Sequence, residues 1–394
     1  MTETLPRRLA ELATARPAAI ALQEKRYGIW HTITWAEYAG RVRDLAHGLA
    51  TVGVRRGEVV GIIGGNRPEW LIAELGAHCL GAAIVGLDPE STADDIRHIL
   101  DLAEVRVVVV EDQEQVDKLV SVKDRLHRLE RIIYCDPRGL ARERHAYLSR
   151  FGDVAEAGRR DRAGRPGWLE GEIAAGDASD PAVLCARSRA LAPLTHANLL
   201  ATAARLHQVD PLHAGERYVS FLPLAWIGEQ FLAVACGLAH GLTIAFPEDA
   251  GTQRADLREI GPGVMLGPPA IWESLRASVQ VGIAEAGWLK RRVFDWAYRV
   301  GQAVVDCRRQ GHTPGPRLVA ARLLADAAAL AAVRDHLGLS RLERGYAGGA
   351  LSPEVLRFFH AIGVNLKQLD ADGWLHAGDA GHLEGGHLIV ERRA

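Results

Sequence analysis

The chain has 394 residues, of which 48% are hydrophobic and 24% charged, and its formal net charge is -2. This composition excludes disordered, collagen-like and coiled-coil proteins, and the near-neutral balance gives no sign of a surface for nucleic acid or an anionic membrane. Five scattered cysteines without metal-ligand spacing predict a reduced, cytoplasmic protein. We find no apolar run of transmembrane length and no signal peptide in the sequence.

The first part of the chain predicts an α/β unit. Strands are predicted at 18–22, 58–63, 81–85 and 105–110, and residues 31–38 alternate like a strand before a helix that runs to about Val52. Further helices are predicted at 69–80 and 92–102, the second capped by Thr92. Their alternation predicts right-handed crossovers and a mostly parallel sheet. Residues 136–180 show little periodicity, so we expect an irregular connection there.

Regular alternation returns after residue 181. Strands are predicted at 182–185, 218–221, 242–246 and 263–266, and helices at 196–206, 229–240, 271–285, 289–309 and 318–337. Thr195 is placed to cap the helix that starts at His196, and two apolar runs around Gly385 and Gly386 predict a β-hairpin. We therefore expect a first αβ subdomain with its connection over 1–180, a second over 181–369, and a remnant hairpin over 370–394.

Nine short motifs occur in an order typical of one enzyme family. They are NRPEW (66–70), LTHANL (194–199), FLPLAWIGEQ (221–230), FPED (246–249), LREI (257–260), GPPAIWE (267–273), GGA (348–350), PEVLRFF (353–359) and GWLHAGD (373–379). The chain resembles the AMP-forming long-chain fatty acyl-CoA synthetases of the adenylate-forming superfamily over most of 1–369 and 372–392. The resemblance implies two stacked αβ subdomains with mostly parallel sheets, ATP or AMP and Mg as cofactors, and a fatty acyl substrate.

The resemblance also implies roles for particular residues. The cofactor-binding positions are Gly348, Gly349, Ala350, Asp379 and Arg392, and the substrate-binding positions along the acyl tunnel are Trp226, Glu229, Gln230 and Gly267. Alternatives stay open for several of them. Gly348 to Ala350 also suits a strand-to-helix turn, Asp379 a strand end, and Trp226 a core tryptophan with surface polar neighbours.

Several parts of the family pattern are missing. The family's glycine- and threonine-rich phosphate loop, which carries a lysine, is replaced by a shorter stretch, 186–193, where Arg187 and Arg189 are better interpreted as solvated than as phosphate ligands. The segment with the adenine-stacking aromatic and the Mg-holding Glu is absent between Leu369 and Gly373. The chain stops near the family's hinge, so we expect most of the β-subdomain and the C-terminal domain with its catalytic lysine to be lacking, and no catalytic residue is assigned. Neither Lys290 nor Lys367 matches that lysine.

These departures leave several hypotheses about function. The chain is an active synthetase, a non-catalytic member that binds an acyl group or nucleotide or pairs with an active synthetase, or a product with no selected role. We expect a homodimer, a complex with a partner protein or a poorly soluble monomer, because losing the β-subdomain exposes apolar surface. A dinucleotide-binding oxidoreductase would use Gly61, Gly64, Gly65 and Asp88, although their spacing is not GxGxxG. The remaining cluster of interest, His376, His382 and His387, is interpreted as surface histidines and not as metal ligands.

Overall fold

The computed structural model describes residues 3–140, 145–187, 190–249, 251–369, 375–376, 380–384 and 387–391, with side chains up to 368 apart from that of residue 187. The chain forms two compact units. The first comprises 1–204, 213–215 and 220–246, and the second comprises 205–212, 216–219 and 247–394. The α/β class with mostly parallel sheets is confirmed, while the division at residues 180 and 369 stays a prediction.

The first unit is built on a seven-stranded sheet of order β7-β6-β5-β3-β4-β8-β9. Its strands are β3 (Val59–Ile63), β4 (Ala83–Leu87), β5 (Val107–Val110), β6 (Arg131–Tyr134), β7 (Leu148–Arg150), β8 (Pro181–Arg187) and β9 (Ala190–Thr195). All neighbours pair in parallel except β8 and β9, which are antiparallel. Three further strands of this unit, in the order β11-β1-β2, are β1 (Ile20–Arg26), β2 (Ile29–Thr34) and β11 (Thr243–Phe246).

Helices connect and cover these strands. They are α1 (Leu5–Ala15), α2 (Trp35–Thr51), α3 (Pro68–Cys79), α4 (Ala93–Leu102), α5 (Gln113–Val122), α6 (Phe151–Gly164), α7 (Trp168–Ala175), α9 (Ile227–Glu229) and α10 (Gly237–His240), with α8 (His196–Val209) contributing to both units. The predicted cap of α4 is confirmed, because the Asp95 backbone N–H donates to Thr92 Oγ1 at 3.2 Å. The β5 strand is buried along its whole length, as its uniform valines require.

The second unit contains strands in the order β15-β14-β13-β12-β10. These are β10 (Arg217–Val219), β12 (Val264–Gly267), β13 (Arg344–Gly348), β14 (Leu366–Leu369) and β15 (Leu375–His376), followed by β16 (Ala380–Glu384) and β17 (His387–Glu391). The helices are α11 (Gln253–Ile260), α12 (Pro269–Glu285), α13 (Trp288–Arg309), α14 (Pro316–Ala325), α15 (Ala331–His336) and α16 (Pro353–Ile362). The predicted hairpin is confirmed by the antiparallel pairing of β16 with β17. Trp272 and Phe359 meet edge to face in the core of this unit, with ring centroids 5.1 Å apart.

The expected irregular connection at 136–180 is wrong, because β7, α6 and α7 lie within it. Helix α6 lacks a recognisable apolar stripe and buries only Val154 and Gly158. It is held on α2 by polar contacts instead. Asp44 pairs with the guanidinium groups of Arg159 (3.2 Å) and Arg162 (3.0 Å). A helix attached in this way has no 3.6-residue hydrophobic period for a sequence reading to detect.

The α2–α6 crossing also depends on two glycines, Gly48 and Gly158. A Cβ on Gly158 would lie 1.9 Å from the Asp44 carbonyl oxygen, and one on Gly48 would lie 2.3 Å from the Val154 carbonyl oxygen. The two helix backbones are therefore in direct contact. None of the helices among the described residues is long and apolar enough to cross a membrane.

We predict that Gly158→Ala lowers the free energy of unfolding by about 2–3 kcal/mol, because the new methyl group forces the two helices apart. The matched control is Gly152→Ala on the same helix, where the added Cβ meets nothing within 4 Å. It should be neutral or stabilise by up to about 1 kcal/mol through helix propensity. Urea unfolding followed by circular dichroism measures both, and equal effects of the two variants would contradict the close crossing.

Candidate functional site

A loop at the carboxyl end of β3 holds the segment that contains Trp226. The Asn66 side-chain amide donates to Ser220 Oγ (2.9 Å) and to the Leu222 carbonyl (2.5 Å), and its oxygen accepts from the Leu224 backbone N–H (3.1 Å). One side chain therefore fixes three successive points of the 220–224 strand-to-helix connection. In parallel α/β sheets, the carboxyl ends of the strands are where ligands bind.

A second set of buried hydrogen bonds, centred on Gln230 and Glu74, clamps the same segment. Gln230 Nε2 donates to Glu74 Oε2 (3.0 Å) and to the Leu224 carbonyl (2.9 Å), and Trp70 Nε1 donates to the same Glu74 oxygen (3.2 Å). Glu74 and Gln230 are both buried. Burial raises the pKa of Glu74 from 4.5 to about 7, against the opposing effect of the hydrogen bonds from Gln230 and Trp70.

The three predicted acyl-site residues of this segment have different surroundings. Trp226 is 52% exposed, whereas Glu229 and Gln230 are buried. The Trp226 carbonyl accepts from the backbone N–H groups of Glu229 (3.1 Å) and Gln230 (3.0 Å). The alternative interpretation, a core tryptophan with surface polar neighbours, is therefore wrong, because the tryptophan is exposed and its two polar neighbours are buried. Of the three, only Trp226 is exposed to solvent, and Gln230 anchors the segment through its hydrogen bonds to Glu74 and Leu224.

Residues 230–236 form a π-helix where the sequence predicted a continuous α-helix from 229 to 240. It lies between the short α9 and α10, and all of its residues except Phe231 are buried. Single π-helical segments are uncommon and occur frequently at functional sites, because the wider turn re-aims the side chains at its start. Here that start is Gln230. The sequence does not mark this change from α to π geometry, since the same residue types favour both kinds of helical turn.

The stretch 186–193, where the sequence resemblance places the family's phosphate loop, belongs to the β8–β9 hairpin. Pairing continues up to Arg187 opposite Ala190, so only residues 188–189 connect the two strands. Because β8 runs parallel to β4, its carboxyl end lies at the same edge of the sheet as the loops after β3 and β4. The edge strand β9 was not predicted. The side chains of Arg187 and Arg189, considered above for anions, lie outside the described residues.

The Thr195 cap is confirmed: the Asn198 backbone N–H donates to Thr195 Oγ1 at 3.1 Å. The adjacent His196 is buried and packs edge to face on His78, with ring centroids 5.0 Å apart. Burial lowers the pKa of His78 to about 3 and that of His196 to about 4. Both imidazoles are therefore neutral near pH 7 and serve packing, with His78 Nε2 2.9 Å from the Ala182 carbonyl.

In the second unit, the glycine positions assigned to ligands lie at the carboxyl ends of β12 and β13. Gly267 pairs beside Ala347 in register, and Trp272 Nε1 donates to the carbonyls of Gly267 and Tyr346, both at 3.2 Å. A Cβ on Gly267 would lie 3.2 Å from Trp272 Nε1, and Gly349 has φ of +147°. The structure thus brings Gly267, Gly348 and Gly349 together at one sheet edge.

Ala350 follows in the connection to α16, whose N-cap is Ser352. The glycines therefore lie in a strand-to-helix connection, and an adenine contact there stays a prediction. Asp379 and Arg392, the other two cofactor-binding positions, lie outside the described residues. The side chains of His376, His382 and His387 are likewise not described.

A buried polar cluster in this unit was not predicted. Asp210 contacts Lys367 Nζ, accepts from the Tyr346 hydroxyl (2.6 Å) and lies 3.3 Å from Arg344 Nε. The Arg344 guanidinium also pairs with Glu216 at 2.7 Å. Two cations and two carboxylates balance, as buried charges require. Lys367 is held in this cluster, which agrees with its exclusion as the catalytic lysine. The sequence signal for this cluster was the spacing of Arg344 and Tyr346, which lie two residues apart on β13 and therefore on the same face of the strand.

The dinucleotide-binding hypothesis is wrong, because a carboxylate of the chain itself fills the glycine turn. The Gly65 backbone N–H donates to Glu111 Oε2 at 2.6 Å, and Arg67 Nε pairs with Glu111 Oε1 at 2.6 Å. Gly61 lies inside β3, where a Cβ would approach Leu100 at 2.8 Å. Its role is packing.

Comparisons with known proteins agree on one family. The sequence profile described as AMP-binding enzyme matches residues 9–369. The long-chain-fatty-acid–CoA ligase ACSBG2 of Xenopus laevis is 28% identical over 368 residues, covering 89% of this chain and 48% of that protein. The ligase named heimdall of Drosophila melanogaster is 29% identical over 365 residues, covering 86% and 51%. The chain spans about half the length of these curated relatives.

Solved structures share the fold. A putative long-chain-fatty-acid CoA ligase from Rhodopseudomonas palustris superposes with a TM-score of 0.63 at 16% identity, covering 100% of this chain and 99% of that one. The adenylation domain of a carboxylate reductase from Mycobacterium chelonae gives a TM-score of 0.66 at 17% identity, covering 96% and 60%.

Glu74 generates a prediction about pH. Between its unfolded pKa of 4.5 and its folded value of about 7, the folded protein keeps a proton that the unfolded chain has lost. This group therefore lowers the free energy of unfolding as the pH rises through that window, by about 3 kcal/mol in total. Glu74→Gln cannot titrate, so its stability relative to wild type should rise by about 3 kcal/mol between about pH 4 and about pH 8.

Urea unfolding at the two pH values measures this change. The contributions of His78 and His196 are common to both proteins and cancel in the difference. The exposed Glu90→Gln is the matched control and should show no such change with pH. A Glu74→Gln difference that is the same at both pH values would mean that the buried carboxyl titrates normally.

Proposed function

Because the chain belongs to the AMP-binding enzyme family, we propose that it binds a long-chain fatty acyl group, free or as its adenylate, without forming the adenylate from ATP. The acyl class comes from the curated relatives, which are named long-chain-fatty-acid–CoA ligases. The proposal that the chain does not form the adenylate rests on the pairing of Arg187 with Ala190. This pairing leaves only residues 188–189 to connect the two strands where the family would have a phosphate loop.

Adenylate formation needs donors for the departing pyrophosphate. A loop that wraps a triphosphate does so with several backbone N–H groups and a lysine, preorganised around the developing charge. The stretch 186–193 contains no glycine, threonine or lysine, and its residues on both sides of 188–189 are paired with each other in the β8–β9 ladder. The residues at this turn therefore do not fit a triphosphate.

Magnesium fits no better. In the part of the chain that the structure describes, there is no group of three or more His, Cys, Asp or Glu side chains that could hold a metal ion. The sequence passes from Leu369 to Gly373 through Asp-Ala-Asp, without the Glu that the family resemblance requires. A residual nucleotide contact would use the glycines at the ends of β12 and β13, because glycine lets a flat ring approach the backbone.

The acyl half of the proposal is supported by the first unit. The Asn66 and Gln230 clamps hold the segment on both sides of Trp226, and the Trp226 ring remains 52% exposed. An aromatic ring presented on a rigid support binds an aliphatic chain with little loss of conformational entropy. Trp226 would thus contact the acyl chain, while the clamped polar groups act through its position.

Pyrophosphate release tests the negative half. With ATP, Mg and a long-chain fatty acid, the protein should release no pyrophosphate beyond the reaction without protein. Fatty-acid-dependent release over many turnovers would overturn the proposal. An active acyl-CoA ligase assayed in parallel shows that the reagents are competent.

Binding of a fluorescent long-chain fatty acid tests the positive half. We expect Trp226→Ala to weaken binding about tenfold, which corresponds to roughly 1.4 kcal/mol of lost contact. The control is Tyr27→Ala, an exposed aromatic residue of the first unit outside the 220–230 segment, which should leave the dissociation constant unchanged. Equal effects of the two substitutions would remove Trp226 from the acyl site.

A further inference from the structure

The α13–α14 face is the outer surface of two consecutive helices in the second unit. On α13, Trp288, Arg292, Trp296 and Arg299 recur at intervals of four, four and three residues, which places them on one side of the helix. The opposite side is buried through Ala297, Gly301, Val304 and Val305. Trp288 is 70% exposed.

Helix α14 presents aliphatic side chains to solvent. Leu323 and Leu324 are 68% and 64% exposed, and Val319 lies one turn before them and is also exposed. Adjacent leucines this exposed are unusual on an ordinary solvated helix, whose outer positions are charged or polar. The second unit also has a groove of about 610 Å³ between α12, α13 and α15, lined by residues that include Ile283, Leu289 and Phe294.

The same segment is strongly basic. Residues 286–325 contain eight of the chain's 47 Lys and Arg residues but only two of its 49 Asp and Glu residues. The overall charge of -2 conceals this local excess. Three of the basic groups, Lys290, Arg291 and Arg292, lie in the first two turns of α13 between the exposed tryptophans, and Arg299 follows Trp296 by three residues.

We propose that the α13–α14 face docks on the surface of a bilayer that contains anionic phospholipid. Tryptophan and arginine are the side chains that suit the headgroup layer, because each combines apolar area with a polar end. The exposed leucines of α14 suit the acyl boundary below the headgroups, and each basic residue near an anionic surface adds attraction. Docking on the membrane does not depend on the proposed acyl binding, since it involves no residue of that site.

Charge also argues against a second copy of the chain as the occupant. A twofold dimer joins the same patch of both subunits. An interface centred on the first turns of α13 would place Lys290, Arg291 and Arg292 against the same residues of the second copy, and like charges in contact are costly. An anionic lipid surface satisfies both the positive charge and the apolar side chains.

Flotation with lipid vesicles tests the proposal on the full chain. We expect binding to vesicles of phosphatidylcholine mixed with phosphatidylglycerol, weaker binding to phosphatidylcholine alone, and a decrease with added salt. Replacing both leucines, Leu323→Gln with Leu324→Gln, should reduce partitioning at least about tenfold. Arg292→Gln with Arg299→Gln should remove most of the preference for the anionic vesicles.

The control is Ile29→Gln, an exposed aliphatic residue on β2, which should bind vesicles like wild type. All of these positions are exposed, and unchanged thermal melting of each variant verifies its folding. Absence of binding, equal binding to both vesicle types, or wild-type binding by the double leucine variant overturns the proposal. A dimer in light scattering that the leucine changes dissociate, without vesicle binding, would identify a second copy as the occupant instead.

Discussion

The side-chain hydrogen bonds of Asn66 hold in place the segment of the first unit that carries the exposed Trp226. Asn66 uses its side-chain amide on both sides, donating to Ser220 and Leu222 and accepting from Leu224, and the Gln230 amide nitrogen donates to Glu74 and to the Leu224 carbonyl. Each such bond contributes about 1 kcal/mol when made, but a buried group left without a partner costs about 1–3 kcal/mol. The 220–230 segment therefore has few alternative positions, and the orientation of Trp226 follows from buried polar groups more than from its own contacts.

Sequence reasoning recovered parallel strands such as β3, β4 and β5 and most of the longer helices, because those elements bury apolar residues with a clear pattern, as the all-valine β5 shows. It missed the parallel strands β6, β7, β13 and β14. It also missed α6, which attaches through Gly158 and the ion pairs of Asp44 and shows almost no apolar stripe. At the site, the motif located Trp226, Glu229 and Gln230 together but could not tell which of them faces inward. That depends on Glu74, which lies more than 150 residues away in the sequence.

The distribution of charge over the surface was also only partly predicted from the sequence. The whole-chain balance suggested a surface without preference for anions, whereas the structure gathers basic and apolar side chains on two consecutive helices of the second unit. Likewise, Glu111 fills the glycine turn after β3 with its own carboxylate. A glycine-rich turn at a strand end is thus compatible with binding an anion from outside or from within, and only the position of the nearest acid separates the two.

The hairpin at residues 187–190 has an evolutionary consequence. Antiparallel partners keep the same separation however many residues join them, and lengthening a connection costs only about 0.6 kcal/mol for each doubling. Strands β8 and β9 are paired along their whole length, so the body tolerates a short connection or a long one at this point without refolding. Gain and loss of a phosphate-handling loop are therefore small steps for this scaffold, and a lineage could discard the chemistry and later regain it while the rest of the architecture stays intact.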